Sequence, residues 1–287
     1  MRRDFEVERY TSPSRLEAER RILFRRLPII VGRESDLPDS GRFFTHDAAG
    51  VPLLMTRDPA GKVRAMLNVC RHRSTRLVFE TEGSAEKFVC KYHSWTYDLC
   101  GQLARPGRVS LPAALEQFMD DSSLVDLPCE TRHGFVWVVP AARAGIDVAR
   151  WLGEVDGELA SRNVEAHVVV SRSTTVRAAN WKLAMDALLG AGGEGSEPRR
   201  LVFPSSVLIL HEGAISQVAL FPHELGEVTC VHTTLAPPGH DAPPLALEEL
   251  ALAEAMQVTL ASDERPPWTP DGSFHAKIDR ALAPPSV

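Results

Sequence analysis

No apolar run in this 287-residue chain is long enough to cross a bilayer; the Leu-rich stretch 245–260 is broken by Glu248, Glu249 and Glu254. No apolar segment follows the first positive charges, Arg2 and Arg3, so no secretory leader is expected and the expected compartment is the cytoplasm. Positive charge is not in excess. The 32 basic and 38 acidic residues give a net charge of −6, which argues against a general nucleic-acid binder. The basic run Arg20–Arg26 is interleaved with Ile22, Leu23 and Phe24 and reads as a helix face. Cysteine is sparse and odd in number (Cys70, Cys90, Cys100, Cys129, Cys230), which argues against a disulfide framework and for thiols or metal ligands. Repeats and low-complexity segments are absent. What remains is a globular composition, 44% hydrophobic and 24% charged, long enough for one large domain or two ordinary ones.

The local pattern predicts a helix over 12–27, capped by Ser12 or Ser14. Short strands and turns follow from 28 to 140, with strands expected at Val51–Thr56, Val63–Val69, Lys87–Tyr97 and Gly134–Val139. A strand is expected at Ala166–Val176. The next segment, Arg177–Leu189, reads as a helix with Trp181, Met185 and Leu188 on one face, stopping at Gly192-Gly193. Strands Leu201–Leu210, Ile215–Phe221 and Glu227–Leu235 come next. Two helices close the chain: Leu245–Leu260, with a stripe of Leu245, Leu252, Met256 and Leu260, and one near Phe274–Leu282. The class is α+β: a small all-β module, then a sheet flanked by helices.

Two short stretches carry the chemistry, Cys70-Arg71-His72-Arg73 and Cys90-Lys91-Tyr92-His93 followed by Ser94-Trp95-Thr96-Tyr97. Each offers one thiolate and one imidazole at a strand end. Brought together, the loops present two sulfurs and two nitrogens to one point. Zinc takes such a set as a closed tetrahedral site. A [2Fe–2S] cluster divides it, with both cysteines on one iron and both histidines on the other. Zinc-finger spacing groups Cys with Cys and His with His, whereas here each pair is Cys with His.

The run Cys-x-His-Arg, the spacer of residues 73 to 89, and Cys-x-x-His-x-Trp-x-Tyr together resemble the Rieske iron–sulfur motif of ring-hydroxylating oxygenase α subunits. The lead-in from Met66 and the run-out Tyr97-Asp98-Leu99-Cys100-Gly101 are similar too; Ser94 stands where that family usually has Gly. The resemblance implies a Rieske domain over 28–140 with Cys70, His72, Cys90 and His93 as cluster ligands. Residues 1–27 and 141–287 would form a catalytic-like domain. It also implies a reductase or ferredoxin as electron donor, and a trimer-type ring of like subunits or a mixed ring with a full-length α subunit. Exchanging two thiolates for imidazoles raises the potential, to about −150 to +300 mV against about −400 mV for all-cysteine plant-type ferredoxins. Trp95 and Tyr97 are expected to pack over the cluster.

The same family carries a mononuclear iron held by two His and one carboxylate, on a helix that begins Asn-Trp-Lys. Here Asn180-Trp181-Lys182 is present and Asp186 follows at the expected offset. By that register, however, the bridging acid is Gly190 and Tyr-His is Gly192-Gly193, and no His lies between His167 and His211. The ligand-bearing segment near 190–200 reads as deleted, so mononuclear Fe(II) is left without its usual imidazoles. Glu249 falls in the slot of the carboxylate ligand. His211, His223 and His232 are expected to be core or loop-edge histidines, the alternative being a rebuilt iron site. Cys100, Cys129 and Cys230 are expected as small buried residues, Asp186 as a local cap or pair, and Glu248-Glu249 as a solvated helix face. The function expected is that of a Rieske electron-transfer protein of the oxygenase type, accessory or catalytically impaired. The alternatives are a competent oxygenase of an aromatic or other small apolar substrate, and a non-enzymatic zinc or electron-carrier module.

Overall fold

The computed structural model describes residues 7–104, 122–190, 196–240, 248–259 and 271–284. The chain divides into two compact units, one of Ile30–Trp151 and one that joins the N-terminal stretch through Ile29 to Leu152 and beyond. Helices mix with antiparallel sheets, the α+β class expected from the order of segments.

The strands associated with Ile30–Trp151 are β1 (Ile29–Arg33), β2 (Arg42–Asp47), β3 (Pro52–Arg57), β4 (Val63–Leu67), β5 (Glu82–Ser84), β6 (Phe88–Val89), β7 (Thr96–Tyr97), β8 (Asp126–Leu127), β9 (Cys129–Arg132) and β10 (Phe135–Val138). They form a five-stranded sheet β5-β2-β3-β4-β8, a three-stranded sheet β1-β10-β9 and the hairpin β6-β7. The turn between β3 and β4 is set by Asp58, whose carboxylate accepts the N–H groups of Ala60 and Lys62, each at 2.9 Å. Lys87–Tyr97 is not one strand, as its β-rich composition suggested. It is two short arms, β6 and β7, around the loop 90–95. Phe43, Leu54, Met66, Leu77, Val78, Phe88, Leu99 and Leu124 pack into one core, and the side chains of Cys70, Cys90 and Tyr97 belong to it.

The other unit is built on a five-stranded antiparallel sheet in the order β11-β15-β14-β13-β12. Its strands are β11 (Val168–Arg177), β12 (Arg199–Val202), β13 (Ser206–Leu210), β14 (Ile215–Glu224) and β15 (Glu227–Ala236). The expected strand Leu201–Leu210 is a hairpin instead, because Pro204 has no N–H to give to a ladder and marks the turn between β12 and β13. The predicted helix 12–27 starts at Pro13, with the Ser12 hydroxyl accepting the Arg15 N–H; Pro13–Glu19 is α-helical and Arg20–Phe24 a π-turn. Helices Val148–Leu152 and Glu154–Ser161 were not anticipated.

The helix Trp181–Gly190 begins later than expected, since β11 runs on to Arg177. Every residue from Trp181 to Leu188 is buried, so the predicted single apolar face is replaced by burial all round. Gly192-Gly193, the expected stop, lies outside the described residues. In the helix Glu248–Thr259 the buried positions are Leu250, Ala253 and Met256. Leu252, placed in the predicted stripe, is 48% exposed, and Leu245 and Leu260 lie outside the described residues.

The Asn-Trp-Lys triplet holds this unit together. Asn180 Oδ1 accepts the Lys182 N–H at 2.9 Å, capping the helix, and its Nδ2 donates to the carbonyls of Tyr10 and Leu225 at 2.8 and 2.9 Å. Trp181 Nε1 and Lys182 Nζ both donate to Glu19 Oε2, at 3.0 and 2.7 Å. Glu19 and Lys182 are buried, and burial holds the Lys182 ammonium below its ordinary pKa, partly offset by Glu19. Lys182→Ala leaves the buried Glu19 carboxylate to Arg15, whose Nε donates to Oε1 at 3.1 Å, and to Trp181, and is expected to cost about 1.5–3 kcal/mol. The check is the midpoint of denaturant unfolding, where the double change Lys182→Met with Glu19→Gln should recover much of the loss.

Candidate metal centre

The two Cys/His loops share one backbone design. In the first, the Cys70 N–H donates to the Thr75 carbonyl at 2.8 Å and the Ser74 N–H to the Cys70 carbonyl at 3.0 Å. In the second, the Cys90 N–H donates to the Trp95 carbonyl at 2.8 Å and the Ser94 N–H to the Cys90 carbonyl at 2.9 Å. Each loop reverses through a left-handed serine, Ser74 at φ 55° and Ser94 at φ 56°. Glycine adopts that conformation at lowest cost, which explains why a Gly is usual in the position of Ser94.

Flanking residues lock the loops in place. Asn68 is buried; its Nδ2 donates to the Val78 carbonyl at 2.7 Å and its Oδ1 accepts the Val78 N–H at 2.9 Å, closing the chain behind the first loop. After the second loop, Asp98 Oδ1 accepts the N–H groups of Cys100 and Gln102. Gly101 follows at φ 80°, where any Cβ would collide with the Met66 sulfur. The lead-in from Met66 and the run-out to Gly101 are thus in contact.

The site is polarised. Cys70 and Cys90 are buried at its base, while His72 is half-buried and His93 exposed. The two imidazoles stand edge to face with centroids 4.5 Å apart, and the Trp95 indole stacks on His72 at 4.8 Å and 13°. The Tyr97 hydroxyl accepts the Arg71 N–H at 3.1 Å and lies 3.4 Å from Cys70 Sγ. Burial, then the bond to Cys70, pushes the Tyr97 pKa up, so it stays a protonated donor. Desolvation, then neighbouring His93 and Arg73, holds the His72 pKa below its ordinary value, favouring the neutral imidazole that binds metals.

His72 Nδ1 is buried and has no hydrogen-bond partner. An orphaned buried ring nitrogen beside two buried thiols suits a group ligated through nitrogen and sulfur. Among the described residues no three His, Cys, Asp or Glu side chains converge on a position for a single ion.

The residues expected in the second domain have separate partners. Asp186 pairs with distant residues rather than locally: it accepts from the Tyr10 hydroxyl at 2.8 Å, lies 2.9 Å from His275 Nε2 and accepts the Asp271 N–H at 3.2 Å. Sequence reasoning missed Tyr10 and His275, for which the only signal was a buried Asp in search of donors. His211 bridges Glu197 (2.8 Å) and Ser216 (3.0 Å), His232 contacts Thr234 (3.2 Å) and His223 contacts Thr229 (2.5 Å). His211 and His232 are buried and His223 is exposed. Cys230 is buried as expected, but Cys100 and Cys129 are only partly so. The side chains of Glu248 and Glu249 lie outside the described residues.

Residues 28–114 match the family model of the Rieske [2Fe–2S] domain. The chain is 30% identical over 179 residues to the glycine betaine monooxygenase oxygenase subunit of Chromohalobacter salexigens, aligning 62% of this chain with 39% of that one. It is also 30% identical over 185 residues to the biphenyl 2,3-dioxygenase subunit alpha of Rhodococcus jostii, again 62% against 39%. The matched region spans about 40% of the length of these relatives. In fold it is similar to the apo crystal structure of the quaternary ammonium Rieske monooxygenase CntA, with a TM-score of 0.82 at 20% identity over 98% of this chain and 95% of that one. Naphthalene 1,2-dioxygenase from Rhodococcus sp. superposes with a TM-score of 0.68 at 18% identity, over 96% and 82%.

Asn68→Ala leaves the buried N–H and carbonyl of Val78 without their partner, at an expected cost of about 2–3 kcal/mol. Denaturant unfolding of the variant should show that loss; an unchanged midpoint would mean that water replaces the amide.

Proposed function

The chain carries a Rieske [2Fe–2S] domain and is homologous to Rieske oxygenase α subunits, and on that premise we propose that Cys70, His72, Cys90 and His93 hold the cluster within a Rieske domain spanning 28–140. The two cysteines would hold one iron and the two histidines the other. The observation that carries this assignment is the pair of matched loops, each delivering one thiol and one imidazole, with His72 Nδ1 orphaned between them. When bound, the group supplies one-electron transfer. Around it, the buried thiols keep water from the sulfur end, and the exposed His93 offers the nitrogen end to a partner.

The further reading is that this is an accessory or catalytically impaired oxygenase subunit, with residues 1–27 and 141–287 as its catalytic-like domain. It receives electrons from a reductase or ferredoxin and passes them to a catalytic chain in a trimer-type ring. The support is local. The helix Trp181–Gly190 keeps its Asn-Trp-Lys start, but the expected bridging acid is Gly190, and His211, His223 and His232 each have other partners. A cytoplasmic setting is part of the same proposal; among the described residues no helix is long and apolar enough to cross a membrane. A second reading, a competent oxygenase with iron at new positions, is favoured by the relatives, which are named as monooxygenases and dioxygenases.

Anaerobically purified protein tests both. Two irons and two acid-labile sulfides per chain, with a Rieske-type EPR signal after reduction, support the first; a third, ferrous iron with O₂-dependent turnover favours the second. Zinc in place of iron rejects the cluster. Cys70→Ser or His93→Ala should each abolish the visible absorbance, since each removes one ligand. Tyr97→Phe should keep the absorbance but lower the midpoint potential by some tens of millivolts, the one-electron equivalent of a hydrogen bond of about 1 kcal/mol to sulfur.

A further inference from the structure

We infer that Glu197, His211 and Ser216 form a proton-responsive clasp that fastens the start of β12 to the β13–β14 hairpin, closing more firmly when His211 takes up a proton. The clasp lies in the sheet unit and involves none of the proposed cluster ligands.

His211 directly follows β13 and is 7% exposed. Both of its ring nitrogens are engaged: Nδ1 lies 2.8 Å from Glu197 Oε1, and Nε2 lies 3.0 Å from Ser216 Oγ. An ionised carboxylate only accepts, so Nδ1 carries a proton and donates to Glu197. A hydroxyl both donates and accepts. With His211 neutral, Ser216 gives its O–H to Nε2; with His211 charged, the Nε2–H donates to the same oxygen once the hydroxyl has turned. The imidazole therefore gains a charge without giving up either bond, which avoids the cost of an unsatisfied buried group.

What changes is the strength of the contact with Glu197. A neutral N–H gives the carboxylate one hydrogen bond, and an imidazolium adds the attraction of opposite charges. The bond to His211 outweighs burial and holds the Glu197 carboxyl below the usual carboxylate range, and the charges of His211 and Arg199 act in the same direction. Glu197 thus stays ionised as pH falls through the range in which imidazoles take up protons. The added attraction grows over that range and is lost only when the pH is low enough to protonate Glu197.

The groups around the ring leave this pairing in place. Arg162, at the end of the helix Glu154–Ser161, donates to the His211 carbonyl at 3.3 Å. Arg199 on β12 donates to the Leu188 carbonyl. His232 on β15 contacts Thr234; burial, then the charge on His211, holds it below its ordinary pKa, so it stays neutral beside a charged His211. A backbone bond completes the clasp, from the Leu210 N–H to the Pro198 carbonyl at 2.9 Å. Residues 197 and 198 are thus held to the end of β13 by one bond that ignores pH and one that responds to it. They lead directly into β12, the edge strand of the sheet. The Glu197 side chain is 52% exposed, so the gain from the charge is modest, roughly 1.5- to fivefold in the opening equilibrium.

The test uses the full-length, cluster-loaded chain and reads amide hydrogen exchange at Leu210, corrected for the intrinsic effect of pH. Wild type should protect Leu210 roughly 1.5- to fivefold more at about pH 6 than at about pH 8. Glu197→Gln keeps an acceptor for the Nδ1–H but not the charge, and should abolish that rise. The melting temperature gives a second measurement: Glu197→Gln should lie closest to wild type at the higher pH and furthest below it at the lower. Equal protection of Leu210 at the two pH values in wild type, or a rise that survives Glu197→Gln, overturns the clasp.

Discussion

Burying sulfur while leaving nitrogen near the surface is the constraint on which the metal centre depends. A thiol at the base of a core and an imidazole at its rim must come from the same short loop, twice over. The chain meets this with a backbone turn in which the cysteine gives its N–H to the residue five positions on and accepts, at its carbonyl, the N–H four positions on. The turn closes only if the fourth residue after the cysteine enters the left-handed region, as Ser74 and Ser94 do. Once it closes, the position of the His within the loop can differ by one residue between the two stretches, and both imidazoles still emerge at the tip, centroids 4.5 Å apart. Asn68 and Gly101 then fix the loops to the core, and Tyr97 and Trp95 tie the second loop to the first, so the site is preformed by the fold.

The Asn-Trp-Lys helix follows a different logic. In this chain its side chains are occupied with folding: Asn180 caps the helix and ties down Tyr10 and Leu225, and Trp181 and Lys182 meet on Glu19. Asp186 extends the same pattern to Tyr10 and His275. A buried charge without its partner costs several kcal/mol, so each of these groups is held in place by the others whatever happens at an iron site further along the helix. The motif thus persists for a structural reason, and its presence says little about catalysis.

Most of the strand pattern was legible because period-two alternation and turn chemistry act locally; the Asp58–Gly61 turn and strands β3, β4, β11, β14 and β15 follow from them. Errors fell where tertiary geometry overrode composition. The stretch Lys87–Tyr97 is rich in β-formers but is bent by its own loop, and Leu201–Leu210 was read through Pro204 as if that residue could pair. Of the stripe expected on Glu248–Thr259, Met256 is buried and Leu252 is not, because several leucines offer alternative faces and only packing selects Leu250 over Leu252. At the site, ligand types and spacing could be read directly. The stack of Trp95 on His72 could not, since it joins two loops through space and leaves no periodic trace. Nor could Tyr10 and His275, which reach Asp186 from 176 and 89 residues away.

These two logics separate the candidate metal centre from the helix that begins Asn-Trp-Lys. The metal centre depends on a few backbone turns and a core within Ile30–Trp151, and every residue that shapes it lies in that unit. The other unit is stabilised by buried polar contacts that do not require a metal. Asn180, Trp181, Lys182 and Asp186 are held by Tyr10, Glu19, Leu225 and His275, all within their own unit. Each unit thus carries its own set of interactions, and the proposed electron-carrying role rests on the set within Ile30–Trp151.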